Sequence, residues 1–491
     1  MSPSISQTPA ASLPVARRLD WRYVTALLWI LAIRLAWLFE YPRVEADEGG
    51  WPMAVRYWLE GRRTTDFYMA PGYHWLLGIP FSIFGADWFV ARMVSAVLGL
   101  AGLALFYRLA LRLAGARTAW WAVLLLAACH TALLVDRRAL MEPFQILLML
   151  LLALAMVEKP RAWEWIAAGL TALLMLTKSS AVFLLPVLVL ADWVASPAQW
   201  RPAIRRGLVL GAGVCLAAAV FFWLYLGDPA TFLGGWTKDM QVVNTPRAVK
   251  TGGRFALNPT SVGATLAYVA SLDPLLVGLS AAGLFRAIAS HTQWLMSLWL
   301  LFGGAFLSIQ LYVQGNHRAI LAAPMCFLAA WFLVESEEAP TAARRRWFGY
   351  EITWPRLFIA AVLVYSTARM AASGWALEDR GTAPARWLNA HAEAGQVVLG
   401  PPYVNIQLGS LSPVTFFWLP KPFLPTAAAI AQYRADWLVV DEREWLFHMR
   451  DAGAADEQIE QALTGCCTLV HRSTGARIFR VNRSNLSGAV R

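Results

Sequence analysis

The sequence predicts a polytopic α-helical membrane protein with about 11 transmembrane helices, interfacial helices in the first outer loop and a small C-terminal α/β domain. Three observations predict it. Of 491 residues, 58% are hydrophobic and only 15% are charged, whereas a soluble domain carries about 25% charged residues. Runs such as "YVTALLWILAIRLAWLF" and "GLVLGAGVCLAAAVFFWLYLG" approach the roughly 20 residues needed to cross a hydrocarbon core of about 30 Å. From about Ser373 the pattern changes: "GQVVLG", "ADWLVVDE", "CCTLVHR" and "ARIFRVN" are short β-like runs between Gly, Pro and polar turns. In the same tail "APARWLNAHAEAG" has the form of a short helix ending at a glycine.

Taken in order, residues 1–22 form an N-terminal segment with Arg17 and Arg18. It lacks the short apolar core and small-residue cleavage site of a removable signal peptide, and is expected to be cytoplasmic. Residues 23–372 hold the crossings, which open near Tyr23, Trp88, Ala119, Phe144, Trp163, Ser180, Gly207, Pro274, Trp294, Ala319 and Pro355. The connectors alternate in kind. "YRLALRLAGAR", "VEKPRAW", "SPAQWRPAIRR", "LFRAIASHTQ" and "EAPTAARRRWFGYEITWPR" are simple basic linkers, as expected on the cytoplasmic face. The opposite face carries the stretch 40–87, "LVDRRALMEPF", the turn "LTKSS", a loop around 227–272, "VQGNHRAI" and the domain 373–491. That face is expected to be periplasmic or extracellular, on a bacterial cytoplasmic membrane. Within 40–87, "WPMAVRYWLEG" and "APGYHWLLGIPFSIFG" are too short or too interrupted to span and have aromatics at both ends, which suits helices lying in the interface.

The net charge of +11 is scattered between the spans, so it points to membrane orientation and lipid headgroups and not to nucleic acid. Cys129, Cys215 and Cys326 lie in apolar runs as small core residues. Cys466 and Cys467 are adjacent, a poor geometry for pairing with each other, and no zinc spacing exists.

The chemistry gathers on the outer face. Asp47 and Glu48 follow the first span, and Pro52 lies in the helix start behind them. One carboxylate could simply cap that helix, but two exceed what a cap needs. A carboxylate at a low-dielectric boundary can act as general base toward a hydroxyl. Glu142 opens a span beside Pro143, after Asp136, Arg137 and Arg138. Arg34 lies inside the first span, where insertion costs about 2.5–3.5 kcal/mol, so it must meet an anion: a span carboxylate or a bound phosphate. Lys178 interrupts an apolar run in "LTKSS", either snorkelling or holding a phosphate. His317 and Arg318 add positive charge, with a plain loop histidine as the alternative for His317. Acids at 47, 48 and 142 with cations at 34, 137, 138, 178 and 318 suit transfer from a lipid phosphate. No Walker loop, dinucleotide fingerprint, Ser-His-Asp pattern or HExxH occurs. An outer cleft has no ATP or nucleotide sugar to use, which a lipid-linked donor circumvents.

"LAIRLAWLF…ADEGGWPMAVRYWLEG", "APGYHWLLGIPFSIFGADWFVARMVSAVLG", "RALMEPF", "AAGLTALLMLTKSSAVFLLP" and "HRAILAAP" occur in that order. Over roughly residues 25–335 this resembles the membrane-embedded GT-C glycosyltransferases of the dolichyl-phosphate-mannose–protein mannosyltransferase type, which include the bacterial lipid A aminoarabinose transferases. The resemblance implies inverting transfer from a polyprenyl-phosphate sugar to a hydroxyl acceptor: a lipid, a glycan or a protein. It implies Asp47 as catalytic base, Glu48 as its neighbour in the acidic pair, Glu142 as the second-loop acid and Lys178 near the donor phosphate. Many relatives carry Asp in that second loop, so a divalent metal stays open as a cofactor with no ligands assigned. A lipid or sugar transporter and an O-antigen-ligase-like transferase are the alternatives. Charges collected on one face and two unlike halves count against a transporter.

Overall fold

Apolar runs punctuated by glycine, proline and charge become helices in the computed structural model, which describes residues 21–36, 38, 46–61, 71–195, 200–224, 259–309, 316–338, 344–347, 350–375, 382–409, 411–415, 427–441, 456–473 and 476–486. Most of the expected N-terminal segment and residues 225–258 of the expected loop around 227–272 lie outside the described residues. The described residues open with α1 (Trp21–Leu35), followed by α2 (Ala46–Leu59) and α3 (Pro71–Phe84) in the stretch 40–87. These last two are the short helices expected there.

Helix α4 (Trp88–Ala128) runs 41 residues and covers two of the expected crossings. The connector "YRLALRLAGAR" is helical, because Leu, Ala and Arg are strong helix formers. Only Gly115 breaks it, at φ 82° and ψ 174°, a backbone that a side chain would oppose. Then come α5 (His130–Asp136), α6 (Glu142–Glu158) and α7 (Trp163–Thr177). A 3₁₀ turn over Ser179–Phe183 leads into α8 (Leu184–Ala195), and α9 (Trp200–Leu224) follows. Next, α10 (Pro259–Leu272) and α11 (Pro274–Ala289) form a broken pair bent by 119°. Pro274 has no N–H to continue the ladder. Asp273, freed at the break, accepts the His130 N–H at 2.8 Å and the Thr131 N–H at 3.0 Å, capping α5 from across the bundle. After α12 (Trp294–Ile309), a 3₁₀ turn over Asn316–Leu321 opens α13 (Ala322–Glu338).

Three described helices are long and apolar enough to cross a membrane by themselves: 88–128, 200–221 and 316–338. Counted as one span, the bent pair makes a fourth, and 24–35, 163–177, 180–191 and 294–308 are shorter apolar helices. This is a membrane protein with transmembrane helices. Trp299, Phe106 and Phe327, all fully buried, sit in its central core.

The connector expected to be simple holds a hairpin, β1 (Arg344–Trp347) antiparallel to β2 (Tyr350–Thr353), before α14 (Trp354–Trp375). The tail then runs α15 (Ala383–His391), β3 (Val397–Gly400), α16 (Pro402–Asn405), β4 (Ser412–Thr415), α17 (Ala427–Gln432), β5 (Trp437–Asp441), α18 (Asp456–Cys466), β6 (Cys467–Ser473), β7 (Ala476–Val481) and α19 (Arg483–Leu486). Its 5-stranded sheet has the order β4-β3-β5-β7-β6. Strand β3 is parallel to β4 and β5, whereas β7 is antiparallel to β5 and β6.

Alternate residues of a strand face opposite sides of its sheet. In β5 both sides are apolar. Leu438 and Val440 pack with Ile430, Leu463 and Phe479 inside the tail. Trp437 and Val439 join a second core that also holds Met53, Tyr57 and Leu77 from α2 and α3. Two hydrogen bonds fix this contact: Tyr57 Oη donates to the Pro413 carbonyl at 3.0 Å, and Arg56 Nη1 to the Leu408 carbonyl at 3.0 Å. The tail domain therefore rests on α2 and α3.

Candidate active site

Five described segments supply the site: the start of α2, the N-terminus of α3, the α5–α6 junction, the break after α7 and the 3₁₀ turn over Asn316–Leu321. Gly72 allows α3 to come this close. A Cβ on it would lie 2.5 Å from Thr177 Oγ1 and 3.1 Å from the Thr177 nitrogen. Only glycine lets the start of α3 sit against the end of α7, beside Lys178.

Helix α7 ends at Lys178, which is extended at φ −159° and ψ 108°. The expected interruption of the apolar run is thus a real helix stop, and it turns the ammonium onto Glu142. Lys178 Nζ forms an ion pair with Glu142 Oε1, and Asn316 Nδ2 donates to the same oxygen at 2.8 Å. Glu142 is fully buried, and its Oε2 has no hydrogen-bond partner. Asn316 Oδ1, His317 Nδ1 and Arg318 Nε in the adjoining 3₁₀ turn are likewise buried without partners. Arg318 stacks on the Tyr268 ring at 4.4 Å, and Lys178 and Arg318 are the charged neighbours of His317.

Tyr73 in α3 is fully buried, has no hydrogen bond to satisfy its hydroxyl, and has Glu142, Glu48 and Ser95 as polar neighbours. Burial first, and the two carboxylates second, push its phenol well above the ordinary value, so it stays a neutral O–H donor. Four polar atoms without partners thus collect around one buried acid that itself has an unpartnered oxygen. An unmet buried polar group costs roughly 1–3 kcal/mol, which makes this cluster the candidate binding site.

Glu48 behaves differently. It is fully buried and held at both oxygens: Arg92 Nε reaches Oε1 at 2.6 Å, Arg92 Nη2 reaches Oε2 at 3.1 Å, and the Ala139 N–H reaches Oε1 at 3.0 Å. Arg92 also donates to the Leu38 carbonyl at 2.8 Å and lies 4.7 Å from the centre of the Trp88 ring. This one carboxylate joins α2, α4, the end of the first span and the α5–α6 loop. The backbone of Asp47 lies in α2, but its side chain is outside the described residues.

Arg34 finds its anion within the bundle: it pairs with Asp136 and donates to the Leu126 carbonyl at 2.9 Å. Gly99 makes room for this pair, since a Cβ there would come within 2.5 Å of the Asp136 carboxyl carbon. Arg137 donates to the Ile33 carbonyl at 2.8 Å and also to the Ala36 carbonyl, closing the C-terminus of α1. Arg138 is buried next to it. The structure therefore brings together Glu142, Lys178, His317 and Arg318 at one place. It commits the described contacts of Arg34 and Arg137 to the bundle around α1.

Sequence reasoning did not single out Arg92, Tyr73 or Asn316. Arg92 had a usable signal, since an arginine inside the apolar "WFVARMVSAVLG" faces the same cost as Arg34. Tyr73 and Asn316 carried none beyond their loops. Among the described residues no three His, Cys, Asp or Glu side chains come together as a metal site.

Residues 69–225 match the family model described as dolichyl-phosphate-mannose-protein mannosyltransferase. No curated protein sequence matches the chain. The fold is similar to the crystal structure of ArnT from Cupriavidus metallidurans bound to undecaprenyl phosphate, with a TM-score of 0.67, 16% identity, and coverage of 95% of this chain and 99% of that one. It is also similar to the archaeal oligosaccharyltransferase AglB from Archaeoglobus fulgidus, in complex with an inhibitory peptide and a dolichol-phosphate. There the TM-score is 0.53, the identity 14% and the coverage 95% of this chain and 74% of that one.

Proposed function

We propose that this chain, whose fold is the GT-C fold in its ArnT-like form, is an inverting glycosyltransferase that moves a sugar from a polyprenyl-phosphate donor to a hydroxyl acceptor at the outer face of a bacterial cytoplasmic membrane. The observation that carries the reading is the cluster of unpartnered buried polar atoms around Glu142, flanked by Lys178 and Arg318. Lys178 Nζ, Arg318 Nε and the Tyr73 hydroxyl are donors that a phosphate satisfies, Glu142 Oε2 and Asn316 Oδ1 are acceptors open to a sugar hydroxyl, and a hydrophobic polyprenyl tail fits a site at the edge of a bundle.

In the proposed step Asp47 takes the proton of the acceptor hydroxyl. The acceptor oxygen bonds to the anomeric carbon from the side opposite the phosphate. The bond from that carbon to the phosphate oxygen breaks, and its electron pair leaves with the polyprenyl phosphate. Lys178 and Arg318 meet the charge that develops there, with Arg138 completing the basic lining and His317 beside them. Glu142 and Asn316 hold Lys178 in position, and Tyr73 offers a neutral O–H to the same space. Arg34 and Arg137 serve this lining by fixing the end of α1, and Glu48 does so through Arg92. The tail domain 373–491, resting on α2 and α3, faces the periplasm or exterior and roofs the site.

The test is mass spectrometry of envelope lipids, glycans and proteins from cells with and without the chain. One sugar-bearing species is expected to disappear with the gene, and its polyprenyl-linked donor to accumulate. An unchanged envelope, with no donor accumulating, overturns the proposal. A narrower prediction concerns Lys178→Met, which keeps the apolar stem and removes the charge. Affinity for a polyprenyl phosphate in nanodiscs is expected to fall about tenfold or more, since hydrogen bonds to charged groups contribute ~1.5–3 kcal/mol. The thermal midpoint should fall too, because Glu142 is left a buried charge with only Asn316, so affinity is read per folded molecule. Unchanged binding would reduce Lys178 to a structural partner of Glu142.

A further inference from the structure

At the seam between the membrane helices and the tail domain lies a second cleft of about 270 Å³, remote in sequence from the Glu142 cluster. From the membrane side it is lined by Asp87, Trp88 and Phe89, at the start of α4, and from the tail by Arg386, Asn389 and Gln407. Its walls are braced. Asn389 Nδ2 donates to the Gln407 carbonyl at 2.9 Å, and the Gly409 N–H donates back to Asn389 Oδ1 at 3.3 Å, tying that loop to α15. The Phe89 side is open, with the residue 51% exposed. Trp88 is 3% exposed, and its indole Nε1, a donor that buried tryptophans normally satisfy, has no partner.

We infer that this cleft seats a saccharide ring of the acceptor. The identification of the ligand as an acceptor, though not as a saccharide, rests on the transferase reading. An aromatic face beside a carboxylate, a guanidinium and two amides offers what a sugar ring needs. The ring's C–H face packs on Phe89, while its hydroxyls find both donors and acceptors around the edge. The volume is below the roughly 300–1,000 Å³ of drug-sized sites, which suits a ring or two and not a folded polymer. The cleft also has a physical link to the acidic pair. The Trp88 ring lies 4.7 Å from the Arg92 guanidinium carbon, and Arg92 grips Glu48, the residue next to Asp47. A headgroup seated on Trp88 and Phe89 is thereby registered against the helix that carries the proposed base.

The experiment uses the full chain in nanodiscs and saturation-transfer NMR with a defined panel. The panel holds disaccharides of glucose, of N-acetylglucosamine and of glucosamine phosphate, together with a Ser/Thr-containing decapeptide. At least one disaccharide is expected to bind through its ring C–H protons. Phe89→Ala should weaken that binding about tenfold, and Phe89→Trp should restore it. Polyprenyl-phosphate binding, measured on the same samples, should be equal in all three proteins. The inference is overturned by a wild-type chain that binds no saccharide, by equal saccharide binding in Phe89→Ala, or by binding of the peptide alone. A wild-type chain that binds saccharide but no polyprenyl phosphate would instead overturn the transferase reading and leave the saccharide cleft standing.

Discussion

Asp47→Asn is expected to cut turnover by at least about 10²–10⁴-fold while donor binding and folding persist, which is the typical cost of removing a general base. The assignment follows from what Glu48 is already doing. Both Glu48 oxygens are taken, by the two-pronged Arg92 contact and by the Ala139 N–H. A carboxylate so engaged is held away from a mobile hydroxyl. Adjacent positions on a helix diverge by about 100°, given roughly 3.6 residues per turn, so the two acids do not serve the same partner. The proposed base role goes to Asp47 by this division. Glu48→Gln should keep more activity per folded molecule and lose more stability. Turnover and donor affinity, measured side by side for both variants, decide it. An active Asp47→Asn beside a dead but folded Glu48→Gln would reverse the roles.

The second large effect is on stability. Arg92→Leu leaves Glu48 as a buried charge without its partner, and breaking a buried pair from one side costs about 3–5 kcal/mol. Both side chains are fully buried, so solvent does not screen the loss. The Leu38 carbonyl loses its donor as well. Thermal unfolding in nanodiscs and proteolysis of the α2–α3 roof are the measurements. The double variant Arg92→Leu/Glu48→Leu should recover much of the loss, because two apolar groups replace a pair that was costly to desolvate. Arg92→Lys should recover little, since an ammonium cannot span both carboxylate oxygens as the guanidinium fork does. A single Arg92→Leu variant as stable as the wild type would show that the pair contributes nothing.

These two variants fall on residues that the sequence disclosed very unequally. Asp47 and Glu48 stood out as a paired exception in an apolar chain, and Lys178 stood out because "TKSS" interrupts a run that could otherwise continue. The structure keeps that interruption as a helix stop. Arg34 posed a question that the sequence could only frame: an arginine in a span must meet an anion, and either a phosphate or a carboxylate would do. Asp136, 102 residues away, is the anion it meets.

What the sequence determined by itself is whatever depends on neighbours along the chain. Apolar run length set the helices of the membrane domain, two interrupted aromatic segments set α2 and α3, and short β-like runs between Gly, Pro and polar turns set β3, β5, β6 and β7. Some local signals were misleading even there. The basic connector before Ala119 stays helical up to Gly115, and Ser412–Thr415 forms a strand although "SPVT" shows little alternation. Tertiary structure decided the pairing: Glu48 with Arg92, Glu142 with Lys178 and Asn316, Asp273 with the start of α5, and the tail sheet with α2 and α3. The reason is physical. Helical and strand periodicity arise from hydrogen bonds within a few residues. A buried charge, by contrast, is satisfied by whichever partner the packed bundle brings within about 3 Å, and no spacing in the chain encodes that distance.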